Sequence, residues 1–347
     1  MHHVTRRRFL QSSALLAGIS TGISTLGGIR GAAAQAAGDT TLTLYNGQHA
    51  RTTAALVDAF TKATGIKVEI RRGGSSQLAN QIIEEGSASP ADVFYSEESP
   101  PVAALSKRGL LSKLDDATLK QVPSTYVAKD GTWLGASLRS RVVAYNKAMV
   151  KESEFPASVL DFATEAWKGK IAYVPTSGAF QEQIVAISQL KGRDAALNWL
   201  KGLKAYGRSY NGNGAAMKAV EAGEIAAALI NNYYWFAVAK EVGDAKMKSA
   251  LFYFGHKDPG ALITVSAAGI LKSSKKQEAA QKFLAFMVSA AGQQAIVDSV
   301  AEYPVRAGIK SPYALKPFSE LDPPPVTPDD LGDAADALVL EREAGLA

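Results

Sequence analysis

The chain has 347 residues, and none of them is cysteine. This absence excludes disulfides, thiolate metal sites, iron–sulfur clusters and cysteine nucleophiles. Histidine is also scarce: the chain has four, of which only His49 and His256 follow the first 36 residues. Any bound metal ion must therefore be held by oxygen and nitrogen ligands.

The first 36 residues have the features of a twin-arginine export signal. TRRRFLQ precedes a mildly apolar run over residues 14–23 and the small-residue stretch GAAAQAAG, an order that favours a signal peptide (1–36) over a basic N-terminal arm. The signal carries four of the five net positive charges, so the remaining chain is near neutral and no nucleic-acid partner is indicated. No later stretch is apolar enough to span a bilayer, so we expect a soluble protein exported to the periplasm.

Short apolar strands alternate with amphipathic helices beyond the signal, which predicts a mostly parallel α/β fold. TLTLY (41–45) and IKVEI (66–70) are typical of strands. Residues 51–65 place Leu56 and Phe60 on one helix face and end at Gly65. About 310 residues are more than one usual core holds, so we expect two lobes.

Polar or glycine residues follow the apolar strands. The segments are LYNGQHA (44–50), ADVFYSE (91–97), SRVVAYN (140–146), KIAYVPTSG (170–178) and IAAALINN (225–232). In open parallel sheets, ligands bind at the carboxyl ends of the strands. We therefore expect the binding site at these ends.

Four residues at the strand ends are candidate ligands for a hard cation. They are His49, Glu97, Tyr233 and Tyr234. Each also has an ordinary interpretation. The histidine can be a surface or capping residue, the glutamate a solvated carboxylate, and the tyrosines half-buried aromatics that pack with their neighbours.

The two tyrosines can share an ion only in certain backbone conformations. Neighbouring side chains of a strand point to opposite faces, whereas in the first turn of a helix they lie about 100° apart and can converge. We therefore expect the strand to end at Ile230, with Asn231 or Asn232 capping a helix that begins at the tyrosines.

Two phenolates and a carboxylate form a hard, anionic set of oxygen ligands. A trivalent cation can displace the phenol protons even though the pKa of a free tyrosine is about 10. Neutral imidazole from His49 completes four protein ligands. The three negative charges match one ferric ion better than they match a divalent metal.

The sequence resembles the periplasmic ferric-ion-binding proteins of bacterial iron(III) ABC importers, which are relatives of transferrin lobes. The matching segments are YNGQH, SPADVFYSE, RSRVV, YVPTSGAFQEQIVAI, INNYYW and DPGAL, in a collinear order from Thr41 to Arg306. The resemblance implies a two-lobed type II periplasmic-binding-protein fold. It also implies that Fe(III) is held between the lobes by His49, Glu97, Tyr233 and Tyr234, and that a membrane permease is the partner.

The resemblance also suggests how the chain divides. We expect an N-terminal lobe of residues 37–140 and 263–316 and a C-terminal lobe of residues 141–262 and 317–347. Crossings between the lobes are expected near residues 139–142 and 262–265.

Members of the family hold a small synergistic anion, such as phosphate or carbonate, in the iron positions that the protein leaves open. The resemblance assigns this anion to Ser177, Gly178, Ala179, Asn213 and Asn231. Backbone N–H groups at a helix N-terminus suit an anion physically. Arg139 and Arg141 match family arginines near the cleft and hinge, with ordinary ion pairing as the alternative.

Glu98 departs from the family pattern, in which a glutamine that contacts the anion follows the liganding glutamate. An ionised carboxylate accepts hydrogen bonds but cannot donate one to an anion. If Glu98 points into the cleft, it adds negative charge to a neutralised site. We therefore expect weaker phosphate dependence than the family pattern implies.

These inferences predict a monomeric Fe(III)-binding component of an importer rather than an enzyme. A binding protein of the same fold for a polyamine, a thiamine-like molecule or another oxyanion is one alternative, and the candidate ligand set argues against it. A secreted metalloenzyme is the other. The chain lacks a zinc-protease helix motif, a nucleophile elbow and a dinucleotide fingerprint.

Overall fold

The computed structural model describes residues 40–346, so the predicted signal peptide (1–36) lies outside it. The strands are β1 Thr41–Asn46, β2 Lys67–Arg72, β3 Val93–Ser96, β4 Trp133–Asn146, β5 Ile171–Tyr173, β6 Arg208–Ser209, β7 Ala227–Asn231, β8 Ser249–Phe252, β9 Ile263–Ile270 and β10 Tyr303–Pro304. The α-helices are α1 Ala50–Thr64, α2 Ser75–Glu85, α3 Ser99–Lys107, α4 Asp116–Leu119, α5 Gly178–Lys191, α6 Arg193–Tyr206, α7 Asn213–Ala222, α8 Asn232–Val242, α9 Gln277–Met287, α10 Ala290–Ser299, α11 Pro328–Leu331 and α12 Ala335–Ala344.

The first helix shows how the sequence sets the local structure. Thr53, Leu56 and Phe60 are buried on one face of α1, at the spacing of a helix that packs against a core. Gly65 ends the helix in the left-handed conformation at φ 76°, and its N–H bonds the carbonyl of Thr61. At the other end of α1, His49 occupies the N-cap position, in the short turn that follows β1.

The sheet is mixed, which corrects the expectation of a mostly parallel one. Strands β2, β1 and β3 are parallel, as are β6, β5 and β7. Strand β9 runs antiparallel to both β3 and β4, and β4 runs antiparallel to β7, β8 and β10. Because β9 is antiparallel to both β3 and β4, β4 runs in the same direction as β1–β3 and opposite to β5–β7.

Strand β4 joins two groups of strands. Its first half, to Ser140, pairs with β9, and from Arg141 onward it pairs with β7. This change of partner lies where the sequence predicts a crossing between lobes. The lobe boundaries themselves stay a prediction.

Separate hydrophobic clusters flank these two groups of strands. One contains Phe60 and Phe283 and packs on the β1–β9 side. Another contains Phe162, Trp199 and Leu340, so that α12 packs on α6 beside the second group.

The predicted α/β class is confirmed by these strands and helices. Among the helices in residues 40–346, none is long and apolar enough to cross a membrane.

Candidate metal centre

Tyr233 and Tyr234 both lie in the first turn of α8, as the geometric argument predicts. Their ring centroids are 4.3 Å apart at an interplanar angle of 38°. Tyr233 is 4% exposed, whereas Tyr234 is only partly buried. The strand before them ends at Asn231, one residue later than expected, and the helix starts at Asn232.

The expectation that Asn231 or Asn232 caps this helix is met in position, because Asn231 is the N-cap residue, but not in hydrogen bonding. Asn231 occupies the N-cap position but makes no capping bond. Its amide accepts a hydrogen bond from Arg141 Nη1 (3.2 Å) and donates one to Thr264 Oγ1 (3.5 Å). Asn232 accepts a bond from the Ser140 N–H and donates to the Ala301 carbonyl. Buried polar groups need hydrogen-bond partners. Both amides find theirs in neighbouring strands and loops, and these bonds hold the start of α8 in place.

His49 and Glu97 lie near each other because β1 and β3 are parallel neighbours whose ends share an edge. His49 Nε2 is 3.7 Å from Glu97 Oε1. The Tyr233 hydroxyl donates a 2.6 Å hydrogen bond to the same oxygen, and the His49 and Tyr233 rings are 4.9 Å apart. Three of the four predicted ligands therefore meet at one carboxylate oxygen.

Tyr234 connects this group to the predicted anion residues. Asn213 Nδ2 donates to the Tyr234 hydroxyl (3.3 Å) and to Ser177 Oγ (2.9 Å). The other polar atom of Asn213, Oδ1, is buried and has no hydrogen-bond partner. Ser177 is the N-cap of α5, and its side chain makes no capping bond to that helix. Gly178 and Ala179 open the same helix, so Ser177 and Asn213 link the start of α5 to Tyr234.

Asn231 is the exception among the predicted anion residues. It is 1% exposed, and both of its polar side-chain atoms already bond to protein groups. Arg141, which holds it, also donates from Nε and Nη2 to Gln183. Burial lowers the pKa of Arg141 to about 10.

Glu98 points to the predicted anion residues. A Cβ atom built on Gly178 would lie 2.6 Å from Glu98 Cδ, so the carboxyl group sits against the N-terminus of α5. Burial, followed by the charge of Glu97, raises the pKa of Glu98 well above its ordinary value. A carboxyl group in this position competes with a bound anion for the backbone N–H groups at the start of α5.

Arg139 and Glu302 form a buried charged pair behind the ligands. Both are 0% exposed, and Arg139 Nε is 4.0 Å from Glu302 Oε1. Burial would lower the pKa of Arg139, but Glu302 and other acidic groups of the site raise it above its ordinary value. Glu302 Oε1 also lies 3.9 Å from His49 Nε2, and Ser137 Oγ donates to the other Glu302 oxygen.

Glu302 and Glu182 also lie at the site, although neither is predicted from the sequence. Glu302 lies beside the short strand β10, far along the chain from every strand end considered, so no local pattern points to it. Glu182 follows Gly178 by four residues on α5, and this helical spacing is a signal that could have found it. It accepts a 3.2 Å bond from Ser99 Oγ at the start of α3, and burial raises its pKa to about 7.

The donor set suits a hard, highly charged cation. Burial and then the neighbouring Glu97 charge raise the pKa of Tyr234 to about 12 and that of Tyr233 well above its ordinary value. Only a strong Lewis acid displaces such protons at neutral pH. Within residues 40–346, no group of three or more His, Cys, Asp or Glu side chains could hold a metal ion. The candidate centre therefore depends on its tyrosines.

Known proteins resemble this chain along most of its length. Residues 55–319 match a family model described as bacterial extracellular solute-binding protein. The chain is 48% identical to the major ferric iron-binding protein of Neisseria meningitidis, covering 88% of this chain and 93% of that protein. It is 41% identical to the Fe(3+)-binding periplasmic protein of Serratia marcescens, covering 90% and 92%.

A solved structure extends this similarity to the fold. Iron-bound HitA from Pseudomonas aeruginosa superposes with a TM-score of 0.86 at 54% identity, covering 88% of this chain and 100% of that one. The expected two-lobed periplasmic-binding fold is thereby confirmed.

Proposed function

The chain belongs to the bacterial extracellular solute-binding protein family, and we propose that it is the periplasmic Fe(III)-binding component of an ABC iron importer. The observation that carries this proposal is the convergence of His49, Glu97 and Tyr233, with the Tyr234 ring in contact with that of Tyr233. The ferric-binding relatives at 48% and 41% identity support the choice of metal.

In this proposal the four side chains replace most of the water around one ferric ion. The two phenols and Glu97 supply three negative charges, and His49 supplies a neutral nitrogen. Iron takes the position of the proton that Tyr233 now shares with Glu97. Because oxygen anions are hard ligands, the site should hold Fe(III) far better than Fe(II).

A small anion would complete the coordination beside α5. Backbone N–H groups of Gly178 and Ala179, with Ser177 and Asn213, provide donors near Tyr234. Phosphate and carbonate both fit this chemistry. Asn231 would act indirectly, by holding Arg141 in place.

Iron capture would select a closed arrangement of the two lobes. His49 and Glu97 follow β1 and β3, which belong to the first group of strands. The tyrosines and the predicted anion residues Ser177, Gly178 and Ala179 follow β7 and β5, which belong to the second group. Only a closed form joins both sets, so iron favours that form by its differential contacts. A permease in the inner membrane would recognise it. We propose a monomer that is exported by the twin-arginine route and captures and releases iron without catalysis.

Metal counting tests this proposal. Iron-free protein lacking residues 1–36 is dialysed against ferric nitrilotriacetate, and in parallel against zinc and ferrous salts under argon. We expect one ferric ion per chain, little zinc or ferrous ion, and loss of the bound iron on reduction. Equal retention of zinc, or no retained iron, would contradict the proposal.

A further inference from the structure

The end of the chain contacts both groups of strands. Helices α11 and α12 place Leu331, Ala337 and Leu340 in the hydrophobic cluster beside the second group, where α12 packs on α5 and α6. Helix α11 also packs on α3, which follows β3 in the first group. We call residues 327–344 the C-terminal strap, because they run from one group of strands to the other.

The strap directs acidic side chains to the first group of strands. Asp333 Oδ2 lies 3.1 Å from Lys107 Nζ, at the end of α3. Lys129, in the turn before β4, places its Nζ 3.9 Å from both Asp329 Oδ2 and Asp330 Oδ1. The Lys129 backbone N–H also donates a 3.1 Å hydrogen bond to Asp329. Apolar packing therefore attaches the strap to the second group, and ion pairs attach it to the first.

A tight turn presents Asp333 to α3. The residues on either side of it, Gly332 and Ala334, are both left-handed, with φ 56° and φ 54°. Alanine rarely adopts this conformation, because its Cβ crowds the following carbonyl oxygen. The surrounding fold must therefore impose it. Ala334 is 8% exposed and packs in the hydrophobic cluster beside the second group, which fixes the turn from that side.

The strap and the first group of strands are not closely packed beside these ion pairs. A cavity of about 150 Å³ separates part of the strap from α2 and α3, with Asp333 and Leu338 on one wall and Asn80 and Pro101 on the other. The walls of such a void lose dispersion contacts, and Leu338 is 46% exposed. Apolar burial thus adds little at this boundary, and the charges carry much of the attachment.

We propose that the C-terminal strap is an electrostatic clasp for the closed form of the protein, an inference that rests on the proposed function and its two lobes. The lysines lie on the lobe that carries His49 and Glu97, and the aspartates lie on the lobe that carries the tyrosines. Opening of the cleft moves these charges apart, whereas closure around iron brings them together. Exposed ion pairs contribute little each and weaken with salt. The clasp therefore slows iron release without preventing it.

Reversal of the lysine charges tests the clasp. Lys107→Glu with Lys129→Glu places like charges opposite the three aspartates. The lysines are changed rather than the aspartates, because Asp330 and Asp333 also accept backbone N–H bonds within the strap and so support its fold. Neither lysine is a proposed iron ligand, so the visible spectrum of the iron-loaded variant should match that of the wild type.

The measurement is the rate of iron release. Iron-loaded protein is mixed with excess EDTA at low salt and at 1 M salt, and the loss of visible absorbance is followed. Lys62→Glu with Lys113→Glu is the matched control, because it makes the same change of net charge at exposed positions beside the first group of strands.

We expect the Lys107/Lys129 double reversal to release iron about tenfold faster than the wild type at low salt, because several weak attractions become repulsions. The control should release iron at the wild-type rate. At 1 M salt, where the Debye length is about 3 Å, the difference should nearly vanish.

Two outcomes would overturn the clasp while leaving the proposed function intact. One is a wild-type release rate in the double reversal at low salt. The other is a faster release that persists unchanged at 1 M salt, since that would trace to packing rather than to charge. A wild-type protein that retains no iron before EDTA is added would instead overturn the proposed function, and the clasp with it.

Discussion

The Tyr233 hydroxyl donates a 2.6 Å hydrogen bond to Glu97, a residue 136 positions away along the chain. The tyrosine lies in the first turn of the helix after β7, and the glutamate follows β3 in the other group of strands. One proton thus bridges the two halves of the candidate site. A ferric ion between the same two oxygens would make a stronger bridge, because it carries three charges.

Glu97→Gln removes a negative charge and leaves an amide oxygen that can still accept the bond from Tyr233. We expect iron affinity to fall by at least a factor on the order of a hundred, because a neutral amide is a poor ligand for a ferric ion. Competition with a chelator of known affinity measures the change. Glu69→Gln, at an exposed position of β2, is the control, and an equal effect of both substitutions would refute a ligand role for Glu97.

Glu98→Gln tests the predicted weak dependence on phosphate. The carboxyl of Glu98 lies against Gly178, where the proposed anion would bind. An amide there adds no negative charge and donates hydrogen bonds at every pH. We expect phosphate to raise iron affinity in the variant more than in the wild type, as measured by chelator competition with and without phosphate. Strong phosphate enhancement in the wild type would contradict this.

The positions of His49, Glu97 and the tyrosines were predictable because they depend on local rules. Polar residues that follow parallel strands meet at one edge, and adjacent side chains converge only in a helix. The sequence could not reveal that Glu302 lies 3.9 Å from His49. That contact joins residues 253 positions apart through the packing of β10 on β4.

The roles of buried polar side chains were also beyond local rules. Asn231 has the residue type and position of an N-cap, yet it bonds Arg141 and Thr264. The Asn231 side chain can bond either the N-terminus of the helix or another group that the fold brings near. Here its oxygen accepts a bond from the buried Arg141 guanidinium instead. The direction of β9 was likewise not predictable, because a buried apolar strand has the same sequence pattern in parallel and antiparallel sheets.

Glu182 predicts a pH dependence of stability. Its pKa in the folded protein is about 7, above its ordinary value of 4.5, so folding favours the protonated form. The free energy of unfolding should therefore fall as pH rises from 4.5 to 7, by an amount on the order of 3 kcal/mol, and should then level off.

Glu182→Gln keeps an acceptor for Ser99 and removes this titration. Urea unfolding at pH 4.5, 6 and 8 should show the variant gaining stability relative to the wild type as pH rises. Glu224→Gln, at an exposed position, should show no such trend. A wild-type-to-variant difference that is constant with pH would refute the buried-acid assignment.

Gly202→Ala should destabilise the protein although alanine favours helices. A Cβ at this position of α6 would lie 2.2 Å from the Ala163 carbonyl oxygen, and relieving that overlap typically costs about 1–3 kcal/mol. Gly214→Ala in α7 is the matched control, since nothing lies within 4 Å of its added Cβ. We expect that substitution to be neutral or stabilising by up to about 1 kcal/mol. Similar melting shifts for both would contradict the packing argument.

The visible spectrum of the iron-loaded protein tests the central claim most directly, because phenolate bound to Fe(III) gives a coloured charge-transfer band. Ferric citrate is added to iron-free wild type, Tyr233→Phe, Tyr234→Phe and Tyr313→Phe, the last of these a tyrosine that packs on Phe236 of α8 and is not a proposed ligand. We predict a band that saturates at one iron per chain, weakens or disappears in the first two variants, and persists in the third. A full band in both the Tyr233 and Tyr234 variants, or no band in the wild type, would contradict the assignment of these tyrosines as iron ligands.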